Sequence, residues 1–476
     1  MMPFLGFEEM VRITGGDVII PTGRSISGAS IDTRSIVPGE LFLALPGEKA
    51  HGHRFVTQAA ALGAPAVVLD GSAGGLPDLA PLEKLGHVGA IVVPDPRAAL
   101  WQLAAARRAS FGGTVVAVCG SNGKTTTKNL AGAVCRAVAP SLHTHGSFNN
   151  DLGVPLTLLR LEPYHQFAVL ELGMNHFGEI DRLAGLVRPS GALMTNIGPE
   201  HLEGLGSIEG VAKAEGEIIA HLPPDGFFVV NVDDPFCVRM AEGYRGRKVS
   251  FGLEGAADVT ATGIRDGGDG VQQFTLRYGG ESIELRFPLV GRHNLMNALA
   301  ASALALALGI PAEAVSAGLE SAEPAALRGR LVRGTDGTRL FIDCYNANPA
   351  SMEAAMASVA ALPGTGRLVA VLGEMKELGV DSGRLHYETG GSAARHGFQA
   401  VYAYGAGGRR IADGARDGGA AVAEAFDSHA SLLAALEPAL AGGERILVKG
   451  SRGSRMEAVA GPLEARLTGR AGGETH

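Results

Sequence analysis

Residues 114–129 read TVVAVCGSNGKTTTKN. The apolar run Val115–Val118 ends in Gly-Ser-Asn-Gly-Lys-Thr-Thr, and helix-compatible residues continue through Leu130 and Ala131. The stretch therefore reads as a buried strand, a tight glycine turn and the start of a helix. Such a turn presents backbone N–H groups at a helix N-terminus, where the dipole also favours an anion. Lys124 adds a mobile positive charge, and Thr125 adds a hydroxyl suited to a phosphate-bound magnesium ion. Gly120, Ser121, Asn122, Gly123, Lys124, Thr125 and Thr126 are thus the expected nucleotide phosphate site. The spacing departs from GxxxxGK[ST], because Val118 stands where the first glycine of that pattern falls. A turn that only joined a strand to a helix would have no use for the lysine.

Outward from this loop the chain alternates strand and helix. Strands are expected at Val115–Cys119, Ala168–Leu172, Gly191–Ile197, Phe227–Asn231 and Lys248–Phe251, and helices at Glu179–Val187 and Ile208–His221. That rhythm predicts a mostly parallel sheet with ligands at its C-terminal edge. A Gly-rich antiparallel patch (Asp258–Pro288) and a helix over Asn294–Leu308 close this unit. Before it, a helix at Phe7–Thr14, strands near Ser27–Asp32, Leu41–Ala44, Ala66–Leu69 and Ala90–Val93, and helices over His53–Leu62 and Ala98–Ser110 form another α/β unit, with Gly71–Leu85 as a loop. After it, strands at Leu340–Asp343, Arg367–Leu372, Ala400–Tyr404 and Arg445–Val448 restart the alternation. The fold class is α/β, in three domains: 1–110, 111–327 and 328–476. The 476 residues agree with a prior of roughly 150 per domain.

Composition narrows the function. Hydrophobic residues make up 46% and charged residues 19%, as in a globular protein with sizeable cores. Net charge is −8 with no basic run, which argues against an electrostatic nucleic-acid footprint. The N-terminal MMPFLGFEEMVRITGG lacks the plan of a signal peptide. The apolar stretch Ala298–Leu308 is too short and alanine-rich to span a bilayer. Cys119, Cys135, Cys237 and Cys344 lack metal spacing and suit buried thiols in a reducing compartment. A soluble, cytoplasmic protein is expected.

Several strand ends deliver polar residues towards the loop. Glu171 ends an apolar run and suits a magnesium site with Thr125, since hard cations take oxygen ligands. His201 follows the Gly191–Ile197 strand in NIGPEHLEGLGS and is a candidate ligand beside it. GRHNLMNALAA puts Asn294 at an expected helix N-cap and Asn297 three residues on, where their amides share a face that can read an adenine edge. DCYNANPASM (Asp343–Met352) is a further strand end with an Asn/Pro turn, and GAGG (Gly405–Gly408) reads as a turn.

In order along the chain, GSNGKTT, NNDLGVPLTLL, ELGMNHFGEI, NIGPEHLEGLGS, GRHNLMNALAA, DCYNANPASM and LVKGSRGSRME resemble the ATP-dependent Mur ligases of peptidoglycan precursor synthesis. SIDTRSIVPGELFLALPGEKAHGHRFV is similar to the UDP-binding segment of two of these ligases. The resemblance implies an N-terminal UDP-binding domain, a central P-loop domain and a C-terminal Rossmann-like domain that closes on ATP. YNANP points to the step that joins D-alanyl-D-alanine to UDP-N-acetylmuramoyl-tripeptide through an acyl phosphate, with ATP and Mg²⁺ and by a monomer. A folylpolyglutamate synthase-like ligase would lack YNANP, and a P-loop NTPase would turn over ATP with no amino-acid substrate. The implied roles are Lys124 on the transferring phosphoryl group, Thr125 and Glu171 on one Mg²⁺ and His201 on a second. Asn294 and Asn297 lie towards adenine, Asp343 and Tyr345 border the ribose, and Arg330 reaches the phosphates. Asp32 and Arg34 mark the UDP pocket. Asn149 and Asn150 mark the muramoyl-peptide end, and Asn346 and Asn348 also belong to the substrate set.

One departure stands out. The family's helix after His201 carries a carbamoylated lysine in a pattern like A-K-x-E-I, whereas this chain reads GVAKAEGEII, with Glu215 at that place. Lys213, two residues earlier, is turned by roughly 200° and should face away. Glu215 is therefore the expected anionic ligand of the second metal, the alternative being a shifted helix that presents Lys213, modified, instead.

Overall fold

The computed structural model describes residues 5–267, 270–324 and 327–469. The ends of the outer domains expected from the sequence, including the first four residues of the N-terminal stretch, lie outside these residues. The run TVVAVC forms the strand Thr114–Cys119, buried from Val115 onward. It sits inside a nine-stranded sheet between the parallel strands Phe167–Glu171 and Gly191–Met194. The chain fills one side of Thr114–Cys119 with Phe167–Glu171 and Ser141–His143. It then crosses to Gly191–Met194, Phe227–Asn231 and Arg247–Phe251 on the other side. Such a reversal opens a crevice at the carboxyl ends of the strands. The Gly-rich patch supplies three further strands, Val259–Asp266, Gln272–Tyr278 and Glu281–Phe287, paired antiparallel among themselves.

Alternation along the central strand divides its side chains between two cores. Val116 and Val118 join one with Leu130, Leu295 and Leu299. Val115, Ala117 and Cys119 join another with Leu100, Leu103 and Leu183. Burying each such valine contributes roughly 1.5 kcal/mol or more over leaving it exposed. The alanine-rich helix Arg292–Ala307 is buried on most of its circumference and packs on the phosphate-loop helix Lys124–Arg136. An apolar face that wide belongs to an interior helix.

The first unit is a five-stranded sheet in the order Asp17–Ile20, Gly89–Val93, Ala66–Asp70, Glu40–Leu43, Gly28–Ser30, with only the first strand antiparallel. The last is a six-stranded sheet, Arg330–Arg333, Arg339–Asp343, Arg445–Lys449, Leu368–Gly373, Ala400–Tyr404, Val422–Phe426, again antiparallel only at its first strand. Among the described residues no helix is long and apolar enough to cross a membrane.

The structure departs from the sequence expectation in four places. Gly71–Leu85 contains a helical turn, Ala80–Leu85, with Pro81 in its first turn and Gly86 in the left-handed conformation ending it. The helix expected over Ile208–His221 tightens to 3₁₀ geometry after Glu215. Strands Asp17–Ile20, Ser141–His143, Arg330–Arg333 and Val422–Phe426 carry no legible sequence signal, because an edge strand is supported from one side and need not alternate. Asn294 is not the N-cap. Gly291 takes that place, and Asn294 lies within the first turn, donating to Val290 O at 2.8 Å.

Candidate active site

The carboxyl ends of the central strands open into a cavity of 890 Å³ lined by all three units, including Trp101, Lys124, Glu171, His201, Asn297 and Tyr345. The phosphate loop forms one wall. Gly120 (φ 114°) and Gly123 (φ 82°) hold left-handed conformations, and a Cβ would drive the first into Thr195 Oγ1 and the second into Asn297 Oδ1. Glycine is required at both for backbone and space together. Asn196 clamps the loop: its Oδ1 accepts from Asn122 N at 3.1 Å and its Nδ2 donates to Asn122 O at 2.9 Å. Ser121 Oγ exchanges hydrogen bonds with Gly198 N and O. Neither Asn196 nor Gly198 stands out in the sequence, where Asn196 falls inside the expected strand Gly191–Ile197 and Gly198 directly follows it; the strand itself ends at Met194.

Lys124 Nζ folds back onto Gly120 O and onto Ser121 O, and lies 3.6 Å from Glu200 and 4.0 Å from Glu215. Glu171, Glu200 and Glu215 are all buried. Among the described residues, Glu171 Oε2, Glu200 Oε1 and both Glu215 oxygens lack a hydrogen bond of standard geometry. Burial pushes Glu215 up to about 7, against Lys124 and with Glu200 adding to the rise. Burial likewise raises Glu200, against the pull of Lys124 and His201. Burial opposes the Lys124 charge, but Glu200, Glu215 and Glu171 outweigh it and raise its pKa.

Three buried carboxylates around one ammonium leave an unbalanced negative charge, which a divalent cation offsets. Among the described residues no three His, Cys, Asp or Glu side chains converge as a ready-made metal cage. Mg²⁺ binds through one or two carboxylates and completes its octahedron with water and phosphate oxygens. Thr125, in the first turn of the helix Lys124–Arg136, and Glu171, paired in register with Val118, both line the cavity.

Asn149 Nδ2 donates to Glu171 Oε1 at 2.8 Å, and Asn150 Oδ1 accepts from Gly153 N at 2.9 Å. Behind them Lys128, fully buried, donates to Thr144 O at 2.6 Å and Gly146 O at 3.0 Å. Lys128 was not among the sequence candidates, because a lysine one turn past the loop reads as a surface residue. Asn297 Oδ1 accepts from Thr127 Oγ1 at 3.2 Å, and its Nδ2 donates to Asn294 Oδ1, so the Asn297 amide sits against the phosphate-loop helix with Asn294 behind it.

The third unit faces the loop. Asp343 pairs with Lys449 at 2.5 Å, and Lys449 also donates to Asn346 O. Tyr345 Oη bonds Ser147 Oγ, and Asn348 Nδ2 donates to Asn122 Oδ1 at 2.9 Å while its side chain caps the helix Pro349–Ala360. His201 Nδ1 meets Glu377 Oε2 at 2.5 Å, with both residues in the left-handed region (φ 49° and 62°). Burial opposes the His201 charge, but Glu377 and Glu200 outweigh it and raise the pKa.

One expected placement comes out differently. Arg330 is not on the cavity wall: its guanidinium is forked onto Glu464 at 2.6 and 2.5 Å, and Arg328, stacked 3.8 Å above the Tyr345 ring, lines the cavity instead. Arg328 precedes the strand Arg330–Arg333, in the turn through Gly329 (φ 63°), whereas Arg330 is held by its long-range pair with Glu464. Asp32 and Arg34 pair with each other at 2.5 Å in the first unit, away from the cavity wall. Lys213 is exposed over the Phe177 ring, on the far side of its helix from Glu215.

Residues 25–108 match the Mur ligase family catalytic domain, 118–305 the Mur ligase middle domain and 328–452 the Mur ligase glutamate ligase domain. The chain is 39% identical to the UDP-N-acetylmuramoyl-tripeptide–D-alanyl-D-alanine ligase of Escherichia coli, over 93% of this chain and 95% of the relative. It is similar to MurF from Acinetobacter baumannii (TM-score 0.85, 35% identity, 98% and 99% covered). It is also similar to the structure named UDP-N-acetylmuramoylalanyl-D-glutamyl-2,6-diaminopimelate–D-alanyl-D-alanyl ligase from the same organism (TM-score 0.81, 34% identity, 97% and 98% covered).

Proposed function

The chain belongs to the Mur ligase family, and from that membership we propose that it joins D-alanyl-D-alanine to UDP-N-acetylmuramoyl-tripeptide at the expense of ATP, in the cytoplasm and as a monomer. Domain 1–110 takes the UDP end, 111–327 takes ATP, and 328–476 closes over both and receives the dipeptide. The observation that carries the reading is the group of three buried carboxylates around Lys124, under a phosphate loop and facing the Asn346–Asn348 turn.

The backbone N–H groups of Gly120–Thr126 receive the phosphates. Thr125 and Glu171 would hold one Mg²⁺. Glu215 and His201 would hold a second, with Glu200 beside His201. When bound, the metal neutralises charge on the phosphoryl oxygens and the attacking carboxylate. The terminal carboxylate of the tripeptide attacks the γ-phosphorus and ADP leaves, giving an acyl phosphate. The dipeptide amine attacks the acyl carbon, phosphate departs and the amine nitrogen gives up a proton. Most of the work is positioning and charge neutralisation. Lys124 follows the transferring group, and Arg328 takes the role first expected of Arg330. Asn294 and Asn297 border the adenine, Asp343 and Tyr345 the ribose. The contacts of Asn348, Tyr345 and Glu377 exclude water from the acyl phosphate.

The test is phosphate release from ATP with the tripeptide nucleotide and the dipeptide added singly and together. Release that requires both is expected. Release with neither would make the protein an NTPase.

A further inference from the structure

Four cationic side chains line the cavity among the described residues: Lys124, Arg182, Arg328 and Lys449. Two are engaged with carboxylates, Lys124 with Glu200 and Glu215, and Lys449 with Asp343. Arg328 stands on the nucleotide side, one residue before Gly329, which adjoins Asn294. Arg182 stands at the other end, with Trp101, Asn150 and Asp151. Among the described residues it has no ion pair and no side-chain hydrogen bond, and its guanidinium lies 4.2 Å above the centroid of Trp101, the chain's single tryptophan.

That stack is itself anchored. The Trp101 indole N–H donates to Asp151 O at 2.8 Å, fixing the ring. The carboxylates nearby are occupied: Asp151 pairs with Arg97 at 3.2 Å, and Glu179 accepts from Asn175 N at 2.6 Å and faces His176. A guanidinium held over an aromatic face is retained by cation–π attraction and leaves its N–H donors available for a forked pair with a carboxylate.

Resting on the acceptor reading above, we propose that Arg182, presented by Trp101, is the specificity-determining residue that reads a non-reacting carboxylate of the acceptor peptide. An alanyl-D-glutamyl-2,6-diaminopimelate peptide, as named for the Acinetobacter relative, has one carboxyl that is phosphorylated. It leaves two spectators, one on the glutamyl residue and one on the diaminopimelyl residue. Asn149 and Glu171 tie the reacting end to the loop, so a spectator falls towards the Trp101 end of the cavity.

The experiment compares the native enzyme with Arg182→Gln and Arg182→Lys on three acceptors: the native tripeptide nucleotide, one with the glutamyl carboxyl amidated, and one with lysine in place of diaminopimelate. Arg182→Gln should raise KM for the native acceptor about ten- to a hundredfold, with kcat and the KM values for ATP and dipeptide within about twofold. On one of the two neutralised acceptors the native enzyme and Arg182→Gln should converge, which identifies the carboxylate. Arg182→Lys should recover only part of the loss. An unchanged acceptor KM, an equal loss on all three acceptors, or an equal rise in the ATP KM overturns the proposal while leaving the ligase reading intact. A native enzyme that turns over none of the acceptors overturns both.

Discussion

Glu215 shows most clearly how one residue changes the chemistry of this site. A carbamoylated lysine is a long anionic arm built from bicarbonate, whereas a glutamate is a short one encoded in the chain. In the fold it is buried, without a hydrogen bond of standard geometry, and pushed up to about 7 by burial. A cation beside it favours the ionised form. We expect Glu215→Gln to lower kcat by about a hundredfold or more, in keeping with loss of one electrostatic group at the transferring phosphoryl. Lys213→Ala should leave turnover near the native level and bicarbonate should not stimulate the enzyme, since Lys213 is exposed on the other side of the helix. Steady-state turnover with and without bicarbonate checks both. A dependence on Lys213 and bicarbonate would move the ligand to the lysine.

At the scale of elements, two features carry consequences. The turn into the phosphate-loop helix is fixed by Gly123, whose left-handed backbone alone would cost a substituted residue about 1–2 kcal/mol before the collision with Asn297 is added. Gly123→Ala should therefore lower the thermal midpoint and weaken ATP binding, read by calorimetry, because the loop must tilt away from the Asn294/Asn297 helix. The edge strand Ser141–His143 brings His143 against Gly132 and beside Lys128 and Arg136. Burial, with those cations and His145 adding to it, pushes His143 down to about 4 from 6.5. Between those values the unfolded chain binds more protons than the folded one, so stability falls as pH drops from 6.5 towards 4 and levels off below. His143→Gln should flatten part of that decline in urea midpoints measured across the window. An unchanged slope would mean His143 is solvated in the native state.

For the whole molecule, closure rests on a few contacts between the third unit and the central unit: Asn348 with Asn122, Tyr345 with Ser147, and Glu377 with His201. Each contributes on the order of 1 kcal/mol, so losing two shifts the balance of closed and open forms by about tenfold or more. A Tyr345→Phe/Glu377→Ala double variant should show a larger radius of gyration in solution scattering without nucleotide, and a lower kcat. An identical scattering curve would show that other contacts hold the closed arrangement.

What the sequence determined by itself was local and periodic: the phosphate loop and its two glycines, the buried central strands, and the polar residues Glu171 and His201 just past strand ends. Apolar runs bounded by turn residues are legible because both faces of a parallel strand are buried. Tertiary structure alone decided which polar groups meet. Glu200 and Lys128 are ordinary charged residues in the sequence, and only burial beside Lys124 and Glu171 gives them meaning. Arg328 rather than Arg330 faces the cavity, because Arg330 is drawn into a forked pair with Glu464, 134 positions on, while Arg328 stacks on Tyr345. Trp101 and Arg182 lie 81 positions apart in the chain. Their stacking arises from the packing of the first unit's last helix on the central sheet's flanking helix, a long-range contact that no local pattern encodes.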